Sequence, residues 1–215
     1  MIAGVPDGAA VDRRPGGCGN FLRGSTGVDA AVDAPWDICL ALAWESYRAG
    51  TVPVGAVVVG ADGEIVARGR NRIFEVGSRL EHAEVDALRQ LGVERRYEDH
   101  TVVSLLEPCL LCVGAALMAT IGAIVYATAD PYGGACSAAI EVPDFVRRRM
   151  RIEGPRADVA ARLGSALQAA FWIGRPTPSA AEIVELFDSA AGARIRAADL
   201  PEPFEEALPR LIELL

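Results

Sequence analysis

Residues 54–59 of the 215-residue chain form a short, almost wholly apolar run, the pattern of a strand covered on both faces. Asp62-Gly63 follows as a hairpin turn and leads into a second strand over residues 64–69. Upstream, Trp36, Leu40, Ala43, Trp44 and Tyr47 recur at helical spacing. A helix is therefore expected to begin near Asp33-Ala34-Pro35, with proline in its first turn, and to end at Gly50. Downstream, the pattern predicts a loop over residues 71–80, a helix over 83–91 closed by Gly92, and a third strand over 101–106. Pro108 then opens a helix over 109–119, and a fourth strand covers 124–127. Two strands joined by a hairpin, then alternating helix and strand, predict an α/β fold: a three-layer α/β/α sandwich on a mixed sheet.

The character of the chain changes at both ends. Residues 1–32 are rich in Gly, Ala, Asp and Arg with weak periodicity, and are expected to form a mobile tail. Residues 33–157 form the expected α/β domain, and 158–215 an Ala-rich helical extension. Within the extension, Ser179-Ala180-Ala181-Glu182 fits a capping box. Phe204, Leu208, Leu211, Ile212 and Leu215 mark a last amphipathic helix, expected to pack on the core or on a partner subunit.

Charge narrows the range of partners. The formal net charge is −8, and every basic residue is Arg. A nucleic-acid binder needs a basic surface to neutralise phosphates. The one dense basic run, Arg147-Arg148-Arg149 with Arg151 beyond it, reads as a solvated helical face or a set of ion-pair donors. A small-molecule substrate is favoured. Five cysteines, an odd number without a signal-peptide pattern, do not describe a secreted disulfide framework. No apolar run approaches the ~18–20 residues that cross a bilayer. A soluble, cytoplasmic protein is expected.

Three short pieces carry chemistry: Arg70-Asn71, His82-Ala83-Glu84, and Pro108-Cys109-Leu110-Leu111-Cys112. Cys109 and Cys112 are spaced to place both thiols on one side of a helix's first turn. The positive end of the helix dipole favours the thiolates that metals need there. With His82 they make a Cys₂His set. Three protein ligands leave a tetrahedral position open, the mark of a catalytic rather than a structural zinc. Glu84 stands two residues after His82, too near to be a spare ligand without strain but well placed to move protons. Cys39 reads as a small core residue, and Cys18 and Cys136 as non-ligands. His100 reads as a solvent-facing strand terminus, Glu107 as either a hydrogen-bond acceptor behind the site or a turn residue, and Asn71 as either a substrate contact or a turn residue.

His-x-Glu followed by Pro-Cys-x-x-Cys is the signature of zinc nucleobase deaminases. Residues 37–134 resemble the cytidine and deoxycytidylate deaminase superfamily, most of all its tRNA adenosine and guanine deaminase branch. The resemblance is carried by the run from Val52 to Val59, Gly69-Arg70-Asn71, His82-Ala83-Glu84-Val85, the run from Leu106 to Cys112, and Asp130-Pro131. It implies that His82, Cys109 and Cys112 bind one Zn²⁺ and that Glu84 shuttles protons. It also implies that Asn71 hydrogen-bonds the base, with Gly55, Ala56 and Ala83 around the substrate. A five-stranded sheet and a homodimer with the site near its interface are further implications. The segment before His82, Ser78-Arg79-Leu80-Glu81, departs from the family pattern, as does Leu105, where a Thr is common. A basic C-terminal helix that would grip an anticodon stem is absent.

The expected activity is zinc-dependent hydrolytic deamination of a free nucleobase, nucleoside or related small aminoheterocycle, with release of ammonia. Adenosine-to-inosine deamination of tRNA is the alternative. A non-catalytic zinc protein that holds a partner is the alternative of another class, and Glu84 speaks against it, since a purely structural site needs no such carboxylate.

Overall fold

The computed structural model describes residues 34–93, 96–136 and 150–215. The expected tail, Cys18 and Arg147 to Arg149 lie outside the described residues. The chain begins with helix α1 (Ala34–Arg48) and the hairpin β1 (Gly55–Val59) and β2 (Ile65–Arg70), followed by the short helix α2 (Ile73–Val76). Helix α3 (Ala83–Leu88), β3 (Thr101–Leu106), α4 (Leu110–Met118), β4 (Ala123–Thr128) and β5 (Arg151–Glu153) come next. Helices α5 (Val159–Trp172), α6 (Ala180–Glu185), α7 (Ser189–Ala197) and α8 (Phe204–Glu213) complete the described elements.

The five strands form one mixed sheet in the order β2-β1-β3-β4-β5. β1 pairs antiparallel with β2 and with β3, whereas β3, β4 and β5 run parallel. Alternation along the strands sorts their side chains into two cores. Val57, Val59, Val103, Leu105, Val125 and Ala127 face α1 and the C-terminal helices. Val58, Val102, Ile124 and Tyr126 face the opposite way, with Ala87 and Leu88 of α3 and Val113 and Ala116 of α4. This is why β1 and β4 read as unbroken apolar runs: a sheet with helices on both faces leaves no side of the strand for water.

The C-terminal helices belong to the first of these cores. Leu163, Ala166, Leu167 and Ala170 of α5, Ala191 and Ile195 of α7, and Phe204, Ala207 and Leu211 of α8 share it with Trp36, Leu40 and Trp44 of α1. Gln168, 2% exposed, reaches from α5 to the Pro53 carbonyl just before β1 (3.1 Å). α5 and α7 start on carboxylate caps, Asp158 accepting from the Ala161 N–H and Asp188 from the Ala191 N–H.

Of the two readings for Arg151, the ion-pair donor holds: it lies in strand β5 at the sheet edge and pairs with Glu153 in the same strand (3.6 Å). Two expectations are corrected. His100 is buried rather than solvent-facing (3% exposed), bonded to Asp99 and edge-on to Tyr97. Ser179 does precede a helix, but its side chain makes no capping bond, and only its carbonyl begins the helical ladder by accepting from Ile183.

Candidate active site

Two helix starts build the site. His82 is the N-cap of α3, and Cys109 is the N-cap of α4, where β3 ends. Both have extended backbone, so each side chain projects from the helix start, and Glu84 and Cys112 follow within the first turns. α3 comes this close to the sheet because residue 69 is glycine. A Cβ there would meet the Ala83 carbonyl at 2.2 Å and the Ala87 nitrogen at 2.4 Å. Gly55 acts likewise toward α1, where a Cβ would lie 2.2 Å from the Cys39 carbonyl. Its missing side chain thus faces the helix, while Ala56 packs with Ala83, Val54 and Leu106 in a small cluster of its own.

The donor atoms fit a tetrahedral zinc. Cys109 Sγ and Cys112 Sγ are 3.6 Å apart, and they lie 3.6 and 3.5 Å from His82 Nδ1. Ligand bonds of ~2.3 Å to sulfur and ~2.0–2.1 Å to nitrogen at tetrahedral angles require separations of roughly 3.8 Å and 3.6 Å. Among the described residues this is the one His/Cys/Asp/Glu group with such spacing. Hydrogen bonding with Cys112, joined by His82, holds the Cys109 thiol down to about 4. The Cys112 thiol is pushed up, first by its hydrogen bonding with Cys109 and then by burial. The ring of His82 has its pKa raised by its bond to Cys109 and also bonds the Arg79 backbone, the kind of support that sets a ligand's tautomer and tilt.

Glu84 is 4% exposed. Its Oε1 accepts from Ser104 Oγ (2.9 Å) and its Oε2 from Cys112 Sγ (3.2 Å). Burial pushes its carboxyl above the ordinary range. Asn71 is also buried and fixed on every side but one. Its Oδ1 accepts from Thr51 Oγ1 (2.8 Å) and from the Ile73 N–H (3.2 Å). Its backbone binds Val54 and the Ser46 hydroxyl. The oxygen thus serves the turn, and among the described residues Nδ2 has no hydrogen-bond partner.

Glu107 is an acceptor behind the site: its oxygens take the N–H groups of Asp130 (3.2 Å) and Cys136 (3.1 Å), folding residues 130–136 against Pro108. Cys136 is buried beside Pro108, its thiol pushed up to about 12 by burial, and stands outside the ligand group. Cys39 is a core residue whose thiol faces the Val103 carbonyl. Leu105 faces α5 in the first core. In the segment before His82, Glu81 is buried and bound by Arg89 through both oxygens (2.8 and 2.7 Å), with Arg72 at 3.7 Å. Sequence reasoning missed Ser104 and Thr51. Small hydroxyl residues carry no motif, and only the folded chain shows which side chain they meet.

Comparison with known proteins gives the same picture. Residues 33–128 match the family model of the cytidine and deoxycytidylate deaminase zinc-binding region. Over 147 residues the chain is 46% identical to a tRNA(Ile)-lysidine synthase of Deinococcus radiodurans, covering 66% of this chain and 25% of that protein. Over 134 residues it is 29% identical to a tRNA-specific adenosine deaminase of Streptococcus pyogenes, covering 61% of this chain and 84% of the relative. It shares its fold with a guanine deaminase from Nitrosomonas europaea (TM-score 0.50, 21% identity, 78% of this chain and 100% of that one). The chain spans about a quarter of the length of the lysidine synthases it matches. Fold and metal group together define a zinc-binding α/β/α domain. Residues 33–128 carry the cytidine and deoxycytidylate deaminase zinc-binding region, and within it His82, Cys109 and Cys112 are the group that could hold the metal.

Proposed function

We propose that the chain is a hydrolytic deaminase that exchanges the exocyclic amine of a small nucleobase-like ring for oxygen, one water entering and one ammonia leaving. The observation that carries this reading is Glu84, a buried carboxylate held by Ser104 with its second oxygen 3.2 Å from the sulfur of Cys112. Zinc in a three-ligand site lowers the pKa of water from ~15.7 toward ~7. Glu84 would accept the proton that water gives up and deliver it to the ring nitrogen. It would then take the remaining proton from the hydroxyl now bonded to the ring carbon and pass it to the amine, which leaves as ammonia as the carbonyl forms. Burial favours the protonated form that this delivery needs. Asn71, its oxygen already engaged, offers Nδ2–H to an acceptor on the ring. Ala56 and Ala83, with the backbone at Gly55, supply an apolar wall.

A small substrate is favoured because three of the arginines beside the site are held by carboxylates. Arg70 pairs with Glu75 (2.8 Å) and Glu45 (3.7 Å), Arg72 with Asp86 (2.9 Å), and Arg89 with Glu81 (2.7 Å). Guanidiniums committed in this way do not seek a phosphate backbone. Deamination of adenosine in tRNA is the second reading, favoured by the likeness to the streptococcal enzyme. The likeness to lysidine synthases does not bear on the choice, since it covers only about a quarter of them.

The reading extends to assembly and setting. Leu110, Leu111 and Met118 of α4 are 74%, 38% and 78% exposed, an apolar surface suited to a homodimer with the site beside its interface. The cysteines at 39, 109, 112 and 136 are all free, which suits the reducing cytoplasm. Among the described residues no helix is long and apolar enough to cross a membrane. Residues 33–157 carry the chemistry and 158–215 brace it. The test is ammonia release from zinc-loaded protein given guanine, adenine, cytosine, their nucleosides, aminotriazines and unmodified tRNA, with Glu84→Gln as control. Release from a small ring, lost by at least about 10²-fold in the variant, is expected. Inosine formed in tRNA, with no release from small rings, would reverse the ranking.

A further inference from the structure

Arg70, Arg72 and Arg89 near the zinc site are bound to carboxylates, but a second group of arginines is not. Tyr47 and Arg48 of α1, Gly50 just after it, Phe171 at the end of α5, Arg175 beyond it, and Arg196 of α7 line a surface cavity of about 230 Å³. Arg48 has one carboxylate partner, the Glu202 side chain at 3.3 Å, in an exposed pair (40% and 84%) of the kind that contributes little. Arg175 and Arg196 have none among the described residues. In a chain with 29 acidic residues against 21 arginines, two neighbouring guanidiniums left without a carboxylate call for a reason.

Helix capping supplies part of one. Arg175 donates from Nε to the Phe171 carbonyl (3.1 Å) and from Nη2 to the Gly50 carbonyl (2.8 Å), and Arg196 donates from Nη1 to the Ala170 carbonyl (3.4 Å). These bonds serve the C-terminal ends of α1 and α5. They leave Nη1 of Arg175 and both Nε and Nη2 of Arg196 without an acceptor among the described residues. Arg175 is also held in place, its guanidinium carbon 3.6 Å from the Phe171 ring centre and 5.3 Å from that of Phe74. The arrangement has a cost in the free protein: burial, then the charge of Arg196, draws the Arg175 pKa below its ordinary value. Fixed, forked donors with unrelieved positive charge around a concave space are the features that recognise a phosphate.

We propose that this cavity is a second ligand site, taking a phosphoryl-class anion on the forks of Arg175 and Arg196 with Arg48 at its rim. The anion is either inorganic phosphate or the phosphate of a mononucleotide. The site rests on these residues alone and stands or falls apart from the deaminase reading.

Calorimetric titration of the zinc-loaded full chain with inorganic phosphate, at constant ionic strength with chloride as the balancing anion, tests this. One saturable site per chain is expected. Arg196→Gln keeps an amide donor for the Ala170 carbonyl and removes the charge; it should weaken binding at least about tenfold, with zinc content unchanged. Arg48→Gln, on an exposed side chain, gives the same direction in a protein whose helix caps are untouched, and decides the matter should Arg196→Gln fail to fold. Parallel titrations with AMP and adenosine separate the sources. Tighter binding of AMP than of phosphate identifies a nucleotide, and equal binding identifies the free anion, with adenosine competing in neither case. No saturable binding of phosphate or AMP, or unchanged affinity in the folded variants, overturns the proposal.

Discussion

Ser104 Oγ donates to Glu84 Oε1 at 2.9 Å, with the serine fully buried and the glutamate 4% exposed. A carboxylate that must take a proton and return it twice needs a fixed orientation, and in a water-free setting a single hydroxyl can supply it. Ser104→Ala is expected to lower kcat about tenfold or more, the range of a hydrogen bond to a charged group. KM and zinc content should stay near the wild-type values. Ser104→Thr, which keeps the hydroxyl, should restore most of the loss. Steady-state kinetics with metal analysis checks this, and a rise in KM with unchanged kcat would assign Ser104 a different part.

Thr51 stands in the corresponding relation to Asn71. Its hydroxyl donates to Oδ1 at 2.8 Å, which turns the amide so that Nδ2 is left over. Thr51→Val keeps the shape and removes the donor, at a cost of about 1 kcal/mol for a neutral bond. KM should rise roughly fivefold while zinc stays bound. Unchanged KM would detach Asn71 from substrate binding.

The packing of α3 gives a stability prediction. Gly69→Ala puts a methyl carbon 2.2 Å from the Ala83 carbonyl, so the helix that carries His82 and Glu84 must shift away from β2. Overpacking of this kind costs about 1–3 kcal/mol. The melting temperature should fall by several degrees, and zinc affinity should fall with it because His82 moves with the helix. A variant that melts like wild type would mean that α3 is free to slide.

The legibility of the fold follows the strength of its physical signals. β1 and β3 were readable because burial on both faces forces continuous apolar runs, and the hairpin because Asp62-Gly63 lies in its turn, a three-residue loop closed by the Gly63 N–H on the Gly60 carbonyl with Gly63 at positive φ. β5 was not: three residues, two of them charged and exposed at a sheet edge, carry no strand signal. The ligand group was readable since metal chemistry restricts both residue type and spacing. Ser104 and Thr51 were not, because their partners, Glu84 and Asn71, are each 20 residues away in sequence. Glu107 and Asn71 each admitted two readings until their hydrogen bonds were known, and Asn71 turned out to use its oxygen for the turn while leaving its nitrogen over. The cavity of Arg48, Arg175 and Arg196 was equally hidden, since its members come from three separate helix ends.

The central claim is that His82, Cys109 and Cys112 hold one zinc with a position left open beside Glu84. X-ray absorption at the zinc edge of the purified chain measures this directly. One zinc per chain is expected, with two sulfur neighbours at ~2.3 Å and two nitrogen or oxygen neighbours at ~2.0–2.1 Å, only one of the latter being lost in His82→Ala. A shell of four protein ligands would make the site a closed structural one, and an absence of zinc from protein prepared without chelators would contradict the account outright.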